Sequence, residues 1–91
     1  MDALGKDFSR SAIRSAILRH VGARALKTLC PSEVARDLAD DEAVWRALMP
    51  QIRAEAAALA DEGRVVVTQK GAVVDARTAR GPIRLSRAGD E

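Results

Sequence analysis

The chain has 91 residues, 47% hydrophobic and 31% charged, enough to bury one modest core and too apolar to be a disordered polymer. No apolar stretch approaches the roughly 18–20 residues of a membrane span, and no apolar run near the N-terminus reads as a signal peptide, so a soluble, cytoplasmic protein is expected. A single Cys excludes an intrachain disulfide, and one Cys with one His cannot build a protein-only zinc site.

The net charge of +2 is small, but it is unevenly spread. Residues 1–30 hold six basic and two acidic side chains, residues 31–62 three and eight, and residues 63–91 six and three. Both ends are therefore basic and the middle is acidic. Twelve of the fifteen cations are Arg, whose planar fork suits phosphate or carboxylate.

Residues 1–7 carry no periodic signal and are expected to be a loose terminus. Ser9 or Ser11 can cap a first helix. Ile13, Ile17, His20 and Val21 recur at helical spacing with Ala16 beside them. Gly22 is the expected terminator. Lys27-Thr28-Leu29-Cys30 can form a brief extended segment. Pro31 suits the first position of a second helix and Glu33 its positive end. Val34, Ala35 and Leu38 give that helix an apolar edge, ending near Ala39.

Asp40 or Asp41 can cap a third helix over about 42–61. Trp45, Leu48, Met49, Ile52, Ala56 and Leu59 form its apolar stripe. Ala43, Ala47, Pro50, Ala54 and Ala57 lie opposite. Pro50 removes one helical hydrogen bond, so a kink or division is expected near Ala47–Leu48. Gly63 stops the helix. Residues 64–69 read as a strand, Lys70-Gly71 as a turn and residues 72–74 as the return strand. Residues 75–80 have room for one helical turn. Residues 83–85 alternate like a short edge strand, and 87–91 are expected to fray.

Helix, short strand, helix, helix, hairpin is the order of a winged helix-turn-helix. The predicted fold class is α+β: three helices sharing a core, with a C-terminal β-hairpin (the wing) closing the open side. One domain over 1–91 is expected, its ordered core at about 9–86.

Four segments carry a family resemblance. They are Lys27-Thr28-Leu29-Cys30-Pro31-Ser32-Glu33-Val34-Ala35-Arg36, Trp45-Arg46-Ala47-Leu48-Met49-Pro50, Val67-Thr68-Gln69-Lys70-Gly71 and Gly81-Pro82-Ile83-Arg84-Leu85. Together they resemble a small bacterial family known as domain of unknown function 3253, over about residues 12–85. The resemblance implies a winged-helix-like fold in a bacterial cytoplasm and no established activity. The Ser-Glu-Val-Ala run is also similar, more loosely, to many bacterial winged-helix regulators.

Catalytic chemistry finds little support in the residues. Cys30 precedes a helix start, where a thiolate is stabilised, but a small residue buried in a short strand explains it as well. A Cys30–His20 pair needs both hydrogen-bond reach and an orienting third group. Asp40, Asp41 and Glu42 are consecutive and cannot all face one metal; helix capping explains them. Lys70-Gly71 lacks the other glycines of a phosphate loop. Trp45 can stack on a base, but it lies in the apolar stripe. No enzyme, cofactor or metal is therefore expected.

The leading expectation is a nucleic-acid-binding regulator, with DNA as the candidate partner. The predicted reading helix begins with three acids and exposes mostly Ala, which is poor for base recognition. Only Arg46, Gln51 and Arg53 offer polar contacts there. Phosphate contacts are expected instead from Arg10, Arg14 and Arg19 on the first helix and from Arg64, Lys70, Arg77, Arg80, Arg84 and Arg87 around the wing, with Arg14, Lys70, Arg80 and Arg84 named as the binding candidates. The alternative is a protein-interaction or dimerisation module, packing a partner or second copy on Ala43, Ala47, Ala54 and Ala57.

Overall fold

A computed structural model describes residues 8–24 and 27–88. Its elements are α1 (Arg10–Arg24), α2 (Pro31–Leu38), α3 (Glu42–Asp61), β1 (Val65–Gln69), β2 (Ala72–Val73) and β3 (Arg84–Arg87). Three helices followed by a small antiparallel sheet of order β2-β1-β3 is the arrangement of a winged helix.

Local chemistry starts each helix. Ser9 Oγ accepts the Ala12 N–H at 3.1 Å, which caps α1. Pro31 opens α2, where its missing N–H has no partner to lose, and Glu33 reaches back to the Cys30 N–H at 3.2 Å. Of the two candidate caps for α3, Asp41 does the capping: Oδ1 accepts from Ala43 N at 2.8 Å and Val44 N at 3.3 Å.

Two helix expectations are corrected. Helix α1 runs through Gly22 to Arg24. A glycine ends a helix by turning left-handed, and Gly22 keeps a negative φ. Helix α3 continues through Pro50 as one element, so the division allowed for there does not occur. The proline removes only its own bond to the Arg46 carbonyl, and packing along the rest of the helix outweighs that loss. At its end, Gly63 has φ +77°, its N–H donates to the Ala60 carbonyl at 3.0 Å, and Arg64 N–H donates to the Leu59 carbonyl at 2.9 Å. That paired closure satisfies two orphan carbonyls and sends the chain back along the core.

Lys70 (φ +53°) and Gly71 (φ +84°) form the two-residue turn between β1 and β2, with Gln69 facing Ala72. The return strand is Ala72–Val73, one residue shorter than expected. Asp75 to Ala79 forms the expected single turn, with Ala79 N–H donating to the Asp75 carbonyl at 2.9 Å.

β3 is the outer strand of the order β2-β1-β3, as expected, but it runs over Arg84–Arg87 and so is longer than the 83–85 expected, and an isolated bridge flanks it. Val65 pairs with Arg87 and Thr68 with Arg84 on one side. On the other side Leu29 bridges Leu85 by two hydrogen bonds of 2.8 Å. Arg87, expected to fray, is therefore paired. The loose ends expected at 1–7 and 89–91 lie outside the described residues.

The core is the shared product of these elements. Ile13, Ile17 and Val21 from α1, Val34 from α2, Leu48, Ile52, Ala56 and Leu59 from α3, and Leu29, Val65, Val67, Ile83 and Leu85 from the sheet side are buried together. Trp45, Met49 and Leu38 pack at its edge. Because Val65, Val67 and Leu85 point inward, alternation sends Val66, Thr68, Arg84 and Ser86 to the opposite, helix-free face.

Candidate nucleic-acid interface

Which cations remain available for phosphate depends on which already face a carboxylate. On α1 every arginine does. Arg10 Nε lies 2.7 Å from Glu55 Oε2. Arg14 lies 2.7 Å from Glu62 and 3.8 Å from Glu55. Arg19 lies 2.7 Å from Asp37, which also accepts from His20 Nε2 at 3.1 Å. Arg24 pairs with Glu33. The bond to Glu62 raises the Arg14 pKa above its ordinary value. In return Arg14 holds the Glu62 carboxyl below the usual range. His20 first, then Arg19, lowers the Asp37 pKa in the same way.

α3 offers no more. Arg46 Nε pairs with Glu42 at 2.6 Å across one helical turn, and its guanidinium also lies 5.0 Å from the Trp45 ring centroid. Gln51 donates to the Phe8 carbonyl at 3.2 Å. Arg53 donates to the Ala79 carbonyl at 2.7 Å and to the Gly81 carbonyl at 3.2 Å. It ties the loop after β2 onto the helix. All three polar candidates on this helix therefore have local partners. Asp40, Asp41 and Glu42 stand exposed at its N-terminus and offset the positive helix end.

The Ala face is divided. Ala43, Ala47 and Ala54 are exposed, but Ala57 is only 2% exposed, because Val74, Asp75 and Ala76 fold back beside it. The expectation that Ala57 belongs to an open surface is corrected on that ground. The same fold-back puts Ala76 and Arg77 beside Met49, Pro50 and Ala54, in a shallow groove. Arg77 is bound there by Asp61 at 2.7 Å and by Asp75.

The sheet behaves differently. Lys70 and Arg80 have no carboxylate within ion-pair distance among the described residues. Gln69 Nε2 donates to the carbonyls of Arg80 and Pro82, which sets Arg80 beside the turn that carries Lys70. Arg84 is held by neutral groups only: Thr28 Oγ1 at 2.9 Å, the Thr28 carbonyl at 3.3 Å and Cys30 Sγ at 2.9 Å. Its position is fixed while its charge is left whole. Of the seven residues nominated for nucleic acid, the structure brings these three together at one end of the sheet. Arg14, Arg46, Gln51 and Arg53 are engaged elsewhere.

Two features escaped the sequence reading. Glu55 is buried, with its side chain 7% exposed, and ties α1 to α3. Its spacing from Ile52 and Leu59 is the signal that places it next to the apolar stripe. Lys27 is an exposed cation without a carboxylate partner among the described residues, at the far end of β3, where it joins Arg87, already expected among the wing cations. The signal for Lys27 is that no acid occurs between Asp7 and Glu33.

Cys30 contacts Arg84 and His20 bonds Asp37, so each has its own partner. Among the described residues no group of three or more His, Cys, Asp or Glu is placed to hold a metal. No described helix is long and apolar enough to cross a membrane. A comparison with curated proteins finds no match. The protein family of unknown function DUF3253 matches residues 10–88, extending beyond the 12–85 over which the four motifs were read, and the chain belongs to that family.

Proposed function

We propose that this chain is a cytoplasmic nucleic-acid-binding regulator that holds the phosphate backbone through Lys70, Arg80 and Arg84. The observation that carries the reading is the contrast in charge pairing. The arginines of α1 each face a carboxylate, whereas these three wing and sheet cations keep theirs unneutralised. Phosphate contacts of this kind fix position and carry little sequence information. Base reading by α3 has little support, since its exposed residues are mostly Ala and its polar side chains are engaged. Association through the Ala face has less support, because Ala57 is covered.

Titration with mixed-sequence duplex DNA at several salt concentrations tests the proposal. Log affinity should fall linearly with log salt, by about −0.9 per phosphate contact, or about −2.7 for three contacts. Unrelated duplexes should bind alike. No binding at 25 mM salt, or binding indifferent to salt, would end it.

A further inference from the structure

Building on the nucleic-acid reading, we infer that the phosphate backbone of a duplex lies along the helix-free face of the sheet, following β3, and not along α3. The face is built for it in three respects. It is open: Val73 is 77% exposed, Arg84 is exposed, and Thr28, Val66, Thr68 and Ser86 are half-exposed. It is free of acid: no Asp or Glu occurs in β1, β2, β3 or residues 27–30. It also carries Arg84, and exposed cations stand at both of its ends.

Lys70 and Arg80 mark one end and Arg84 lies on the face itself. Arg87 pairs with inward-facing Val65 and so starts from the helix side of the sheet, but it is exposed at the last pair of the strand, where its long side chain can reach round the rim; the Leu29–Leu85 bridge brings exposed Lys27 to the same level. From Val65 to Lys70 the strand advances about 17 Å, the length of about five base steps of a duplex.

Thr28 and Cys30 act as positioning residues. Both spend neutral acceptors on Arg84 and hold its guanidinium in place, which reduces the entropy lost when phosphate arrives. The surface also favours duplex over single strand. Single-strand platforms stack bases on aromatic rings, and the chain's two aromatics, Phe8 and Trp45, lie outside the sheet. Trp45 is instead stacked by Arg36 and Arg46.

Duplex titration of four proteins decides the matter. The wild type should show a salt slope of about −4.5, from five contacts. Lys27→Ala/Arg87→Ala removes two exposed cations without disturbing a bond and should bring the slope to about −2.7. Ser86→Glu sets a carboxylate between Arg84 and Arg87 and should weaken binding on the order of tenfold in 50 mM salt. Ala47→Glu, on the exposed side of α3, should bind within twofold of wild type.

A wild-type slope near −2.7 that the double variant leaves unchanged confines the contacts to the wing and overturns the strip. So does Ala47→Glu weakening binding more than Ser86→Glu, or a single strand binding more tightly than its duplex. A wild type that ignores duplex while sedimenting with vesicles of anionic phospholipid overturns the nucleic-acid reading itself.

Discussion

The Glu55 carboxylate engages two of the four arginines of α1, Arg10 and Arg14, and its energetics follow from its surroundings. Oε2 is held by Arg10 at 2.7 Å, while Oε1 is buried with no hydrogen-bond partner and only Arg14 at 3.8 Å. Removing Arg10 leaves a desolvated carboxylate with one distant cation. A hydrogen bond to a charged group contributes about 1.5–3 kcal/mol, but Arg10 is itself 73% exposed and screened, so the loss for Arg10→Ala should be about 1–2 kcal/mol. At this chain length that lowers the melting temperature by about 4–16 °C.

Glu55→Met removes the charge with its desolvation penalty and fills the same space, so it should be neutral or stabilising. Adding Arg10→Ala to Glu55→Met should then cost almost nothing. Thermal unfolding followed by circular dichroism, run as a double-mutant cycle, measures all three. If Arg10→Ala melts with the wild type, or if Glu55→Met loses more stability than Arg10→Ala, the carboxylate is not an arginine-dependent tie and the argument is wrong.

Other outcomes follow from the same contacts. Asp37 has its folded pKa lowered by His20 and Arg19, so its stabilising contribution is complete above the ordinary carboxylate pKa and lost as pH falls through the lowered value. Asp37→Asn should flatten the acid limb of a stability–pH profile below about pH 4, and an unchanged limb would refute this assignment. Asp41→Ala removes the cap of α3 and should cost about 1 kcal/mol in denaturant unfolding, whereas Asp40→Ala should cost little. Arg53→Met releases the Ala79 and Gly81 carbonyls, so amide exchange over residues 76–83 should accelerate while β1 amides keep their protection. Equal acceleration in β1 would mean that the loop and sheet open together.

How much the chain declares in advance depends on how far apart the interacting residues are. Pro31, Asp41, Gly63 and Lys70-Gly71 act through bonds to residues within five positions, so the starts of α2 and α3, the end of α3 and the first hairpin turn could be read from the sequence. The apolar periods of α1 and α3 identified Ile13, Ile17, Ile52 and Leu59 as core for the same reason. Gly22 as a terminator and Pro50 as a possible divider of α3 were misjudged because propensity is a weak local term, and packing of the surrounding helix outweighed it.

The site was less legible than the fold. The sequence alone established a winged-helix order of elements and a basic C-terminal stretch. Only the tertiary structure decided which cations keep their charge. Arg10 meets Glu55 across 45 positions and Arg14 meets Glu62 across 48, while Arg84 crosses 54 positions to reach the uncharged Cys30. Coulomb attraction acts through space and fades within a Debye length, so the fate of each charge waits on the folding that brings distant positions together.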